Sequence, residues 1–284
     1  LCDHLADLQE EYDYPRFIDT TTGKNSKKRV INNVKRLAGT LGVTMSVQSM
    51  DQKVLRNIER QNMRLDEFFD IKPTIKKFNL DTNSEVILGL PGETVEQHFD
   101  AIESLLKLDM DHILSYSLMM LNGTKLNTPE ERERWGYQTK YRVIPRDFSV
   151  MSTGEKVVEV EEVAVASSTM SFDDYLAARV FVLMLQVVNT APTKPILKYC
   201  MRCGVSGKSV IKKFVERLDW PEYRNSNLRS VFHEYREKTE TELFDSEEEL
   251  IRIFQDDLKF SGLVDGTYGS NLLQTYKAKI LAEC

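Results

Sequence analysis

A chain of 284 residues that is 41% hydrophobic and 29% charged has the composition of a folded globular protein, not of a disordered one. Its net charge of −6 gives no broad electrostatic case for binding nucleic acid or an anionic membrane. The longest apolar run, 180–188, is broken by Gln186 and is far too short to span a bilayer. No charged-then-apolar leader opens the sequence, so a cytoplasmic location is expected.

The first 125 residues alternate helical and extended patterns. Helix is expected over 3–12, extended chain over 17–21, and helix over 26–41 with Ile31, Val34, Leu37 and Ala38 on one face. Ser26 suits the N-cap of that helix and Gly42 its C-terminal stop. A strand over 43–48 follows, then a helix capped by Asp51 and a helix over 65–79 broken near Pro73. A strand over 84–89, a helix over 94–108 and a strand over 112–120 complete the alternation. Such an order implies parallel pairing with right-handed crossovers, and in these folds ligands sit at the carboxyl ends of the strands. Thr22–Asn25, Gln48-Ser49, Pro91-Gly92-Glu93 and Asn122-Gly123-Thr124 all fall at that end. Because Leu1 lies inside a helical pattern, the chain reads as lacking upstream sequence.

Near residue 145 the character changes. Pro145-Arg146-Asp147 reads as a connector, 156–165 as an exposed strand or hairpin arm, and the remainder as helices over 172–189, 194–203, 207–218, 227–239 and 246–259. The expected division is 1–150 and 151–284. Glu247-Glu248-Glu249 lies in a first helical turn, where acids favour the dipole.

Several motifs have plain structural readings. Gly204-Val-Ser-Gly207-Lys208-Ser209 lacks the four-residue glycine spacing of a phosphate loop, since position 202 is Arg202. It reads as a joint between helices, with Ser206 or Gly207 opening the second. Cys200 and Cys203 form a lone C-x-x-C without a second ligand pair, the pattern of ordinary thiols at a helix end. His4, His98, His112 and His233 fall at no metal-ligand spacing.

Two strands differ from ordinary buried ones. In 43–48, Val43, Met45 and Val47 alternate with Thr44, Ser46 and Gln48; in 85–88, Glu85 and Ile87 share a face opposite Val86 and Leu88. A parallel sheet covered on both faces reads as a continuous apolar run, so the polar set points to a wet, ligand-holding barrel interior. Glu85 either lies solvated just outside its strand or is a buried carboxylate able to accept two hydrogen bonds from a ribose diol. Arg60 either favours a helix dipole or reaches inward to a carboxylate.

Val47-Gln48-Ser49-Met50-Asp51 with Val54, Leu55, Ile58 and Arg60, followed by Glu85-Val-Ile-Leu-Gly-Leu-Pro-Gly-Glu-Thr94 and Phe99, resembles paired motifs of the radical SAM enzymes. Tyr116–Thr124 is similar to their sixth strand and its turn. With Gly23–Asn25 and the 142–148 segment, the likeness is strongest to members bearing an upstream cobalamin-binding domain, and it covers about residues 1–150. It implies an α/β fold: a partial (β/α)6 barrel followed by a mostly α-helical region. It further implies S-adenosylmethionine as cofactor, a [4Fe–4S] cluster, cobalamin, and a small-molecule substrate.

Carried over by position, Gln48 and Glu85 would meet the ribose of S-adenosylmethionine, Arg60 its carboxylate and Ile87 its adenine, with Ser46 a further cofactor-binding residue, while Lys24, Asn25 and Tyr116 would bind the substrate. Glu85 stands where Asp is usual, and Asn122 where Pro is frequent. The C-x-x-x-C-x-x-C run that holds the cluster is absent, so the chain alone is expected not to cleave S-adenosylmethionine. The alternative is a cluster-less, non-catalytic module that binds a nucleoside or a protein partner.

Overall fold

The computed structural model describes residues 1–18, 27–37, 40–41, 43–62, 72–73, 76–77, 81–223 and 226–283. They form a mixed α/β fold, a small parallel sheet followed by an extensive helical region. Two compact units result: Leu1–Ile87 with Asp100–Tyr116, and Leu88–Phe99 with Ser117–Cys284.

The first unit begins with helices α1 (Cys2–Tyr12) and α2 (Lys27–Arg36). Arg36 reaches Asp7 and Glu10 at 3.1 Å each, but these exposed pairs add little stability. The sheet is ordered β1 (Val43–Gln48), β2 (Thr82–Leu88), β3 (His112–Ser117). β1 and β2 are parallel, with Val43 opposite Thr82 and Ser46 opposite Glu85. Backbone bonds from Asp111 to Thr82 and from Leu118 to Leu88 advance together along the chain, so β3 is parallel as well. Asp111 secures the start of this pairing, accepting from the Thr82 N–H at 3.0 Å and hydroxyl at 2.8 Å.

Between β1 and β2, Asp51 caps α3 (Gln52–Asn57) by accepting from the N–H groups of Lys53 and Val54. The helix ends in a Schellman arrangement. Glu59 is left-handed at φ 54°, its N–H bonds to Arg56 O and that of Arg60 to Leu55 O. Arg60 therefore lies beyond the helix and not inside its last turn. The helix expected over 26–41 is described only over 27–37, and Ser26 and Gly42 lie outside the described residues. Of the helix expected over 65–79, residues 72–73 and 76–77 are helical and the rest lie outside them. Ile18 bridges Leu41 in parallel, while 19–21 also lie outside.

Helix α4 (Val95–Lys107) follows β2, and α5 (Pro129–Trp135) follows β3. The strand expected over 112–120 divides in two. After Ser117 the chain leaves the parallel sheet, and Met119 pairs with Val163 of the hairpin β4 (Gln138–Val150)/β5 (Lys156–Ala166). Pro145–Asp147, expected as a connector, lies within β4. The ladder register jumps between Val143 and Phe148, which frees the one residue lacking an N–H from the need to donate. Arg146, left-handed at φ 68°, donates instead to Gly269 O at 3.3 Å. The turn 151–155 joins the two strands.

The helices beyond are α6 (Phe172–Val188), α7 (Lys194–Arg202), α8 (Gly207–Arg217), α9 (Asn227–Thr241), α10 (Glu247–Phe254), α11 (Asp257–Val264) and α12 (Leu272–Glu283). α6 is apolar on nearly every side and buried along its length, as a central helix must be; a Ser171/Asp174 capping box opens it. The joint at 204–209 has Ser206 capping α8. The helix expected over 246–259 is two, because Asp256 accepts from the N–H groups of Leu258 and Lys259 and starts a new one. No helix among the described residues is long and apolar enough to cross a membrane.

The hairpin is tied to α5 by charge. Arg132 donates through Nη1 to Glu162 Oε1 at 2.8 Å and through Nη2 to Oε2, and the Thr139 hydroxyl donates to the same carboxylate. Burial pushes the Glu162 carboxyl up, but these donors outweigh it and hold the group below its ordinary 4.5. A lowered native value means stability that is complete above the unfolded value and lost as pH falls through the native one. Glu162→Gln is therefore expected to cost about 1 kcal/mol at neutral pH, with solvent screening allowed for. Urea denaturation against pH should show the two proteins converging below about pH 4.

Candidate functional site

Parallel register brings the polar positions of β1 and β2 side by side. Ser46 lies opposite Glu85; then β1 bulges, so that Gln48 and not Val47 stands opposite Val86. Gln48 is left-handed at φ 62° and half-buried, between buried Val47 and buried Ser49. A bulge adds one residue to one strand and re-aims the side chains beyond it. A glutamine at positive φ costs about 1–3 kcal/mol, a strain that concentrates at functional positions. Simple alternation through Gln48 is thus corrected: the last turn of the strand is irregular, and the bulge decides where the amide points.

On β2, Thr82, Ser84, Val86 and Leu88 are buried, while Asn83, Glu85 and Ile87 are half-buried. On β3, Ile113, Ser115 and Ser117 are buried, and Tyr116 is 49% exposed. Hydroxyls thus occupy the buried face as well, against the expectation of an apolar one. Thr82 is satisfied by Asp111, and Ser117 Oγ lies 3.2 Å from the buried Tyr175 hydroxyl. The half-open face carries Glu85 and Tyr116 close enough to interact. Burial first, and then the Glu85 carboxylate, hold the Tyr116 phenol above its ordinary 10.0.

Ser46, Gln48, Glu85 and Ile87 are therefore gathered at the carboxyl half of two adjacent strands, with Tyr116 beside Glu85. Arg60 is exposed just past α3. Lys24 and Asn25 lie outside the described residues. A half-buried carboxylate can accept two hydrogen bonds from a vicinal diol.

The Gly89–Thr94 segment has a role the sequence did not disclose. Glu93 is fully buried, and its Oε2 accepts from the Gly89 N–H at 3.1 Å, with His98 Nδ1 3.5 Å away and equally buried. Gly89, at φ 90°, leaves room for Met170: a Cβ there would stand 3.3 Å from its methyl carbon. The Thr169 hydroxyl donates to Glu93 O at 2.8 Å and the Tyr137 hydroxyl to Gly89 O at 3.3 Å. Burial, with help from Glu93, pushes the Tyr137 phenol far up and keeps it a donor. Thr94 and Gln97 then form a capping box for α4. The Glu93–His98 spacing of five was the available signal.

For metal the donor set is poor. Among the described residues no group of three or more His, Cys, Asp or Glu could hold an ion. Cys2 and Cys200 are half-buried free thiols and Cys203 is an exposed one.

No family model matches the chain. It is 31% identical over 191 residues to the cobalamin-dependent radical SAM methyltransferase TokK of Streptomyces tokunonensis, covering 65% of this chain and 28% of that protein. Identity and coverage are the same for the 2-(S-pantetheinyl)-carbapenam-3-carboxylate methyltransferase of Streptantibioticus cattleyicolor. An uncharacterised protein of Methanocaldococcus jannaschii is 33% identical over 84 residues, 30% of this chain and 26% of that one. The chain is thus homologous to cobalamin-dependent radical SAM methyltransferases, which supports its membership of the radical SAM superfamily, and the match spans little more than a quarter of their length.

Two outcomes are expected. Glu85→Gln should bring the Tyr116 ionisation down toward 10.0, followed by NMR of ring-labelled tyrosine; an unmoved titration would mean the two groups are apart. Glu93→Ala, which strands the Gly89 N–H in the interior, should cost about 2–3 kcal/mol in chemical denaturation, and Glu93→Gln less.

Proposed function

We propose that this chain is the S-adenosylmethionine-binding part, with an appended helical region, of a cobalamin-dependent radical SAM methyltransferase. The observation that carries the reading is the half-buried Glu85 carboxylate, set opposite Ser46 by strand register and near enough to Tyr116 to help raise its phenol. The 31% identity to two such methyltransferases supports it.

The residues present fit one cofactor and not another. A [4Fe–4S] cluster needs three thiolates in a set geometry, and Cys2, Cys200 and Cys203 do not form a ligand group. No step through a cluster is assigned to this chain. An adenosyl group fits the donor set of β1 and β2. When bound beside a cluster and cobalamin, S-adenosylmethionine supplies the one-electron and methyl-transfer chemistry, and the protein supplies orientation and electrostatics.

In this reading Glu85 accepts both hydrogen bonds of the ribose diol, and its extra methylene relative to Asp sets the reach. Gln48, turned by the bulge, and Ser46 complete the polar rim of the sugar. Ile87 packs against the adenine, Arg60 holds the amino-acid carboxylate, and Tyr116, Lys24 and Asn25 face the substrate.

The test uses the protein extended upstream to a C-x-x-x-C-x-x-C run, reconstituted anaerobically with iron and sulfide. Glu85→Ala is expected to raise the dissociation constant for S-adenosylmethionine at least ten-fold and to lower 5′-deoxyadenosine release, with the cluster absorbance intact. Glu85→Asp is expected to keep most of both. Unchanged affinity and release in Glu85→Ala would sink the assignment.

A further inference from the structure

We infer that a cavity in the second unit, among β4, the end of α9, α10, α11 and the 267–272 segment, is a binding site for a small amphipathic anion: a flat apolar body bearing a carboxylate or phosphate. The cavity measures about 370 Å3, within the range of small-molecule sites. All its lining residues belong to one unit, so the inference stands apart from the S-adenosylmethionine reading.

The wall is apolar and rigid. Phe244, Ile253, Phe254 and Tyr268 line it and are part of, or packed on, the core around Val143, Leu250 and Leu263. The Phe254 ring meets Tyr268 edge-on at 5.7 Å and Phe244 at 6.2 Å, which fixes the ring edges that bound the space. Behind it, Gly269 at φ 58° lets the 267–272 segment press onto the core. A Cβ there would come within 2.8 Å of Leu263 and 3.2 Å of Val143. These are features of a formed pocket and not of a gap beneath a loose loop.

The charge in the lining is one-sided. Arg142, Lys238 and Lys259 face a single carboxylate, Glu242. Arg142 is held in place, its Nε on Glu161 at 2.5 Å and Nη1 on Glu242 at 3.2 Å, and neither bond engages Nη2. Lys259 Nζ is fixed at the wall, 3.0 Å from the Tyr268 hydroxyl and 4.9 Å from that ring's centre. Burial raises the Glu242 carboxyl above its ordinary value, which weakens the one negative group further. Arg142 is offset by its two carboxylate partners, so a neutral apolar ligand would leave Lys238 and Lys259 unused, and a cationic one would meet their like charge. An anion with an apolar body uses both the wall and the charge.

The test is calorimetric titration of the 284-residue chain with three probes of one shape: 2-naphthoate, 2-naphthyl phosphate and neutral 2-naphthalenemethanol. At least one anion is expected to bind one-to-one and at least ten-fold more tightly than the alcohol. Whichever anion is preferred distinguishes acids from phosphate monoesters as the source. Lys238→Ala with Lys259→Ala, both exposed positions, should weaken that anion at least five-fold while thermal unfolding is unchanged. Leu272→Trp, which fills the space, should abolish binding. The site is refuted if neither anion binds, if the alcohol binds as well as both, or if the double-lysine variant binds unaltered.

Discussion

Glu93 holds the middle of this chain together by an interaction that is expensive to arrange. A carboxylate with no solvent exposure must find donors inside the protein, or its desolvation costs several kcal/mol. It finds the N–H of Gly89, four residues earlier, and lies 3.5 Å from Nδ1 of His98, five residues later. The turn after β2 is thus closed upon itself, and its backbone carbonyls are left facing Tyr137 and Thr169. Those two residues flank the open end of the hairpin, where Gln138 pairs with Ala166, so the geometry of one tight turn is propagated to the strands and helices that follow. Gly89 is the only residue type that accepts both its backbone angle and the closeness of Met170.

The candidate site uses the opposite device. Where Glu93 is sealed in, Glu85 is left half-open, and the strand beside it is deliberately irregular. The bulge at Val47 and the left-handed Gln48 set Gln48 opposite Val86, so the direction of its amide no longer follows the alternation of Thr44 and Ser46. Such strain persists only if neighbours over-determine it. Here Ser49 N–H bonds to Val47 O, and the Asn62 amide donates to Ser49 O at 2.6 Å.

In the second unit, polar and apolar surfaces are combined by pairing charges at the hairpin. Arg132 with Glu162, and Arg142 with Glu161 and Glu242, bind the strands to helices on either side. Removing one member of such a pair leaves the other in a poor environment, so these contacts specify which helix packs where more than they add net stability.

Periodicity and caps in the chain itself specified most elements. Asp51, Ser171 and Ser206 announce helix starts because each offers an acceptor to an orphan N–H. The alternating strands and helices declared a parallel sheet, because successive strands separated by helices have little other choice. That Ser46 and Glu85 each lie on a polar face followed from alternation within their strands; the register that sets them opposite came from the fold. Tertiary structure decided the rest, since each remaining feature depends on partners distant along the chain. Pro145 is carried inside a strand because the register jump asks no donor of it, and the next N–H, that of Arg146, finds Gly269 O more than a hundred residues away. Met119 abandons one sheet for another because Val163 offers a ladder. The burial of Glu93, the turn of Gln48 and the cavity lined from five separate segments arise from contacts that no local window contains.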